Sequence, residues 1–395
     1  MVAATRPRTA LILSGGGARA AYQVGVLKAI IEMLPDEQGN PFPILCGTSA
    51  GAINATVLAC YASRFRTGIK RLETVWANFH TRHIYRSDLR GIARNSLRWI
   101  AHLFFNAGEP NSVTLLDNDP LRKLLRQVIP FARIPEAIRA GDLYALSITA
   151  SGYTSGESVS FFQGVPELEF WQRHRRAGAR ATIGLNHVLA SAALPMIFPA
   201  VMVNREFFGD GSMRFLAPIS PALHLGAEQV MVIGVDPLRK VPPDRKSAMQ
   251  PPNIAQIAGH ILDSIFIDSL EGDLERLQRI NKTLSVATED ELAERQITLR
   301  PIKTLVICPS EDISSMAGRH AACLPPMLRF LFGRIGASGT KGSTVLSYLM
   351  FEAPFCQELI ALGYRDAYKQ QDAIREFFGH APAGTEQSPV ENAVK

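Results

Sequence analysis

The stretch that most constrains this chain is Cys46-Gly47-Thr48-Ser49-Ala50-Gly51-Ala52. It follows the apolar run Pro43-Ile44-Leu45 and opens the helix-like run at residues 52–59. The order is strand, sharp turn, helix, with a serine at the apex. Gly47, Ser49 and Gly51 make the pattern Gly-x-Ser-x-Gly, whose glycines are needed because a Cβ two residues either side of the serine would clash in so tight a turn. Ser49 is thereby pushed out of the sheet, with its Oγ near a helix N-terminus, where partial positive charge favours a developing anion. Small residues also surround serines in ordinary turns, so context has to decide.

A second unit of the same kind precedes it. Residues 9–13 are short, apolar and β-rich, and Ser14-Gly15-Gly16-Gly17-Ala18-Arg19 follows directly. Val24, Leu27, Ile30, Ile31 and Leu34 then recur at helical spacing up to Pro35. A glycine loop before a helix can cradle a phosphate, as in the dinucleotide fingerprint. Here, however, Ala20 stands where the third glycine would be, and no acidic residue closes a second strand about 20 residues on. The rival reading is an oxyanion hole, with the N–H groups of Gly16 and Gly17 aimed at a tetrahedral intermediate. Two consecutive strand-turn-helix units place both loops at the C-terminal ends of adjacent parallel strands. A glycine loop beside an apical serine is the arrangement that acyl transfer needs.

The rest of the chain sets limits. At 395 residues it can bury a large core, and 47% hydrophobic with 20% charged residues is a globular composition. A net charge of +6 favours anionic surfaces without the clustering of a nucleic-acid binder. Cys46, Cys60, Cys308, Cys323 and Cys356 are scattered, which predicts buried free thiols in a reducing compartment. The N-terminal apolar run is too short for a signal peptide, and residues 189–203, broken by Pro195 and Pro199, fall short of a membrane span. These features predict a cytoplasmic protein, with peripheral contact to an anionic membrane as its one membrane role. The basic residues of 63–105, with Arg90, Arg94 and Arg98 at i, i+4, suit either an amphipathic lid on lipid or a solvated helix capping the core.

Further strands are expected at 142–152, 158–163, 229–235 and 303–308, and a long amphipathic helix at 257–280. The run Arg173-His174-Arg175-Arg176 reads as a solvated loop. Residues 206–212 bring Asp210-Gly211 to a tight turn at the end of a β-rich run, although Asp-Gly is common in turns of no chemical importance. An activated serine needs a base. His224 is the only histidine shortly after Asp210, but it sits mid-segment rather than in a loop after a strand. The alternative is Asp210 itself, its pKa raised by desolvation beside Phe207 and Phe208.

Gly15-Gly16-Gly17-Ala18-Arg19, Gly47-Thr48-Ser49-Ala50-Gly51, Ala190-Ser191-x-x-x-Pro195 and Asp210-Gly211 resemble, in order and spacing, the four motif blocks of the patatin-like phospholipases. The resemblance implies a three-layer α/β/α sandwich with a mainly parallel central sheet. It implies a catalytic unit at 9–225, with C-terminal strands and helices at 226–378 on the same core; by composition, 379–395 read as a disordered tail. It further implies hydrolysis of phospholipid or other lipid acyl esters (phospholipase A, lysophospholipase or esterase type) by a Ser-Asp dyad, with no catalytic histidine, cofactor or metal. By motif, Ser49 is the nucleophile, Asp210 the base, and Gly15, Gly16 and Gly17 the oxyanion hole. Gly47, Gly51 and Gly211 support the turns, while Arg19 orients the glycine loop or meets a lipid headgroup. Ser212 departs from the family, which carries Gly or Ala there. A transacylase, or a lipid-binding regulatory module with little turnover, would share these residues.

Overall fold

A computed structural model of the chain describes residues 7–35, 39–85, 116–214, 217–237, 254–266, 268–286, 288–294, 299–334 and 343–381. The two glycine-turn units form as their spacing predicts. β1 (Thr9–Leu13) leads through the glycine loop into the helix Ala21–Met33, and β2 (Ile44–Thr48) leads through Ser49 into the helix Ala50–Cys60. The strands are parallel neighbours with Leu13 opposite Gly47, so both turns emerge at one edge of the sheet.

β3 (Ala145–Gly152) lies beside β2, and β9 (Gln229–Ile233) flanks β1 on the other side, with β10 (Lys303–Ile307) beyond it, all parallel. Past β3 the direction alternates. β4 (Ser158–Gly164) is antiparallel to β3, β6 (Arg176–Arg180) is parallel to β4, and β5 (Trp171–Arg173) closes that edge antiparallel to β6. A hairpin of β7 (Val201–Val203) and β8 (Glu206–Asp210) attaches through the last three residues of β3.

β1, β2, β3 and β9 are buried along their whole length, as expected of a parallel sheet covered on both faces. Alternation sends Leu11, Leu13 and Leu45 to one core and Ala10, Ile12, Ile44 and Cys46 to the other. The first core packs under the helices Ala21–Met33, Ala50–Cys60 and Ala353–Lys369; the second packs under Ser220–His224 and Asp268–Leu284. The fold is therefore α/β in three layers around a mostly parallel sheet. The helix Ala353–Lys369 lies so close to Ala21–Met33 that a Cβ on Gly25 would come within 1.9 Å of the Ile360 carbonyl oxygen.

Some expectations are revised. The segment expected as a helix at 257–280 is helical over Ile254–Phe266 and Asp268–Leu284, and residue 267 lies outside the described residues. Of the basic run at 173–176, Arg173 ends β5 and Arg176 opens β6, so that only His174 and Arg175 form the turn between them. Cys323 is exposed and Cys308 half-buried, whereas Cys46, Cys60 and Cys356 are buried as expected. Of the basic stretch, the helix Phe65–Ala77 buries Phe65, Ile69, Leu72 and Trp76 against the core; Arg90, Arg94 and Arg98 lie outside the described residues, as do 382–395. Among the described residues no helix is long and apolar enough to cross a membrane.

Candidate active site

Ser49 and Asp210 meet because two strands share one edge of β3. β2 occupies that edge up to Thr48, opposite Thr149; β8 arrives from the other direction and ends at Asp210, opposite Ala150. β4 holds the opposite edge throughout, so β2 and β8 run head to head in a single lane. Their ends abut, and Ser49 Oγ donates a 2.5 Å hydrogen bond to Asp210 Oδ2. Both residues are buried.

Ser49 sits at φ 54, ψ −126, a conformation of the kind that costs a non-glycine residue on the order of 1–3 kcal/mol. The surrounding glycines permit it. A Cβ on Gly47 would stand 2.6 Å from the Ala52 Cα, and one on Gly51 would stand 2.1 Å from the Leu13 carbonyl oxygen. Gly211 has the same role on the other side of the lane, where a Cβ would meet the Thr149 carbonyl oxygen at 2.1 Å. Ser191, at the end of the helix Leu185–Ser191, holds the turn by side chain: its hydroxyl accepts the Ser49 N–H (2.9 Å) and donates to the Thr149 carbonyl (2.6 Å). The motif block around Ser191 was visible in the sequence, but nothing local to it announced that bridge.

Burial pushes the Asp210 carboxyl up to about 6, opposed by hydrogen bonds from Ser49 and from the backbone and side chain of Ser212. The Ser212 N–H reaches Asp210 Oδ1 at 2.9 Å. The expected apolar wall is only half present, because Phe208 is buried and Phe207 is exposed. His224 takes no part. It stacks on Trp171 in the second core, and burial with Arg173 and Arg176 pushes its imidazole down to about 4.

The glycine loop faces Ser49 across a cavity. No acceptor among the described residues engages the N–H of Gly15, Gly16 or Gly17. Gly17 adopts φ +55, and a Cβ there would lie 2.2 Å from the Tyr348 carbonyl oxygen. Arg19 is fully buried, which excludes the expected headgroup contact. Its guanidinium bonds Asp236, Ser347 (2.8 Å) and Ser314 (3.1 Å), lies 3.6 Å from Asp263, and stacks 3.9 Å above the Tyr348 ring. The loop is thus tied to the helix Ser343–Leu349 of the C-terminal part. A second buried chain, missed by sequence reasoning, runs from the Ser14 carbonyl through Gln23 and Asn54 to Trp76 Nε1, joining loop, nucleophile helix and cavity wall.

That cavity, about 60 Å³, starts at Ser49, Gly17 and Ala192 and continues along Ala50, Ile53 and Val57, one face of the helix behind the serine. Leu72, Val75 and Trp76 and then Leu121, Leu124 and Leu125 complete a lining that is almost wholly apolar. The arrangement offers a serine hydroxyl at a strained turn on a buried carboxylate, with Gly17 of the glycine loop and a largely apolar cavity beside it.

Residues 11–223 match the patatin-like phospholipase family. A cGAMP-activated phospholipase of Pseudomonas aeruginosa is 27% identical over 216 residues, which cover 54% of this chain and 55% of that relative, so the chain spans about half its length. Among solved structures, VipD of Legionella pneumophila aligns with 93% of this chain and 67% of its own at 12% identity and a TM-score of 0.34. A chain of the SpcU–ExoU complex of Pseudomonas aeruginosa aligns with 93% and 79% at 13% identity and a TM-score of 0.26. Alignments that loose carry no argument, whereas the family match covers more than half of the sequence. On that match the chain belongs to the patatin-like phospholipase family.

Proposed function

We propose that this protein is a serine hydrolase of lipid acyl esters, with Ser49 as nucleophile and Asp210 as its base. The observation that carries the reading is the 2.5 Å contact between Ser49 Oγ and Asp210 Oδ2 at the mouth of an apolar cavity. Oγ attacks the ester carbonyl carbon while its proton passes to Oδ2. The oxyanion is held by N–H groups of the Gly15–Gly17 loop, which engage no acceptor among the described residues and so are left to donate to it. Collapse expels the alcohol, which takes the proton from Asp210. A water then gives a proton to Asp210 as it attacks the acyl-enzyme, and collapse releases the fatty acid while Ser49 Oγ takes that proton back from Asp210. The acyl chain lies along Ala50, Ile53 and Val57, where its burial is favourable at about 0.8 kcal/mol per methylene. The catalytic unit is residues 9–225, and 226–378 supply β9, β10 and the support of the glycine loop.

A carboxylate with a pKa of about 6 is a stronger base than an exposed one and is still ionised at neutral pH. Hydrolysis of a soluble ester should therefore fall about tenfold per pH unit below roughly pH 6, with a single ionisation on that limb. A limb centred near pH 4 would mean that burial does not tune Asp210. The nucleophile is tested by a fluorophosphonate probe with peptide mapping. Label on Ser49, absent from Ser49→Ala, is expected; label elsewhere, or none, removes the assignment.

A further inference from the structure

Strand register carries an unused group of residues to the edge of the sheet that bears Ser49. Ser151 of β3 is opposite Ser158 of β4, Ser158 is opposite Arg176 of β6, and Arg176 is opposite Arg173 of β5. The β5–β6 turn therefore stands at the same edge, two to three strands from β3, or about 10–15 Å at the usual strand spacing. Arg173, His174 and Arg175 are exposed there. Arg175 holds φ 55, a left-handed conformation that favours Gly or Asn, so a long cation occupies a place that local folding would give to a small residue.

A second hairpin stands at the same end of the sheet, on the other side of β3 and β4 from that turn. β3 ends at Gly152, opposite Phe208, so the remainder of the β7–β8 hairpin projects past the sheet above the end of β2. Met202 and Phe207 are directly opposite each other and are 46% and 39% exposed, while Val201, Val203 and Phe208 point into the core. Tyr153, 49% exposed, donates its N–H to the Phe207 carbonyl at 3.0 Å. Arg205 is exposed at the hairpin tip, and Arg214 is exposed and bonded to the Gly156 carbonyl (2.8 Å). The neighbouring carboxylates are engaged: Glu206 accepts the N–H groups of Thr154 and Ser155, and Glu157 accepts from Gln172. What remains is an aromatic and methionine surface flanked by arginines, none of which serves the chemistry at Ser49.

We propose that this edge docks on an anionic lipid bilayer. Met202, Phe207 and Tyr153 enter the headgroup layer, and Arg173, Arg175 and Arg205 face the lipid phosphates. The sign of the exposed charge and the chain's net +6 select an anionic bilayer as the occupant. The inference rests on the lipid-ester reading, because docking would bring Ser49 to the layer that holds its substrate.

The test uses full-length Ser49→Ala protein, which leaves vesicles intact, in co-sedimentation with phosphatidylglycerol or phosphatidylcholine vesicles. At low salt the parent should bind phosphatidylglycerol at least about tenfold more tightly, and the preference should vanish at high salt. Adding Arg173→Glu with Arg175→Glu should abolish the preference, and adding Met202→Ser with Phe207→Ser should weaken binding to both vesicles about tenfold. A parent that ignores phosphatidylglycerol, or a charge-reversed protein that binds it equally well, overturns the proposal. The same paired substitutions on intact Ser49 should leave hydrolysis of a soluble short-chain ester at the wild-type rate. A wild type inactive on that ester overturns the proposed chemistry, and the vesicle result still decides the surface by itself.

Discussion

Asp210→Asn protein is expected to lose about a thousandfold or more in kcat on a soluble ester while becoming harder to unfold at pH 8. The first effect follows from the contact with Ser49: an amide cannot take the Oγ proton, and a positioned base typically contributes 10²–10⁴-fold. The second follows from burial. In the folded chain the carboxyl titrates at about 6, against 3.8 when solvated. Its ionisation therefore opposes folding: the cost is absent below pH 3.8, grows up to about pH 6 and is constant above it. At 1.36 kcal/mol per pKa unit the cost is on the order of 3 kcal/mol. Asparagine is nearly isosteric and uncharged, so the gain in Tm should be several degrees at pH 8 and should shrink to nothing near pH 4. Near-normal turnover would remove Asp210 as the base; a lower Tm at pH 8 would remove the account of its burial.

Arg19→Met should be the most damaging single change outside the dyad, lowering stability in urea by about 3–5 kcal/mol. The guanidinium is fully buried, and its loss leaves Asp236 without its main counter-ion. Burial already pushes the Asp236 carboxyl up to about 6 against the pull of Arg19, and Asp236 Oδ2 has no hydrogen-bond partner among the described residues. Without Arg19 the carboxyl should rise further, so the loss should deepen as pH increases through neutrality. Arg19→Met combined with Asp236→Asn should recover much of it, since removing both charges leaves no unpaired ion. A double variant no better than Arg19→Met would mean that the packing of Arg19 on Tyr348, and not charge, supports the loop.

The legible parts of the molecule were those whose signals are local. Strand, glycine turn and helix follow one another within about 15 residues in both N-terminal units, and the glycines report backbone crowding that a Cβ would violate. Ser49 and Asp210 stood out by motif, but their juxtaposition depends on β3, which no local pattern connects to either. The roles of Arg19 and Ser191 were illegible for the same reason. The hydrogen-bond partners of Arg19 lie 217 to 328 residues away, and Ser191 acts on Ser49 from 142 residues away. Nor does the sequence distinguish Phe207 from Phe208. A one-residue change of register exchanges inside for outside on a strand, and register is set by pairing with β3.

The head-to-head placement of β2 and β8 on β3 has a consequence for how freely this chain can diverge. The separation of Ser49 from Asp210 is set by two adjacent rungs, Thr149 and Ala150, and not by the length of chain that connects them. Residues can be gained or lost in the excursion between β2 and β3, or in the β5–β6 hairpin, without moving either group. A single residue inserted within β3 itself would shift one abutting strand by a full rung of about 3.3 Å. Tolerance to length change should therefore be high across most of the intervening sequence and vanish at one short strand that contributes no side chain to the chemistry.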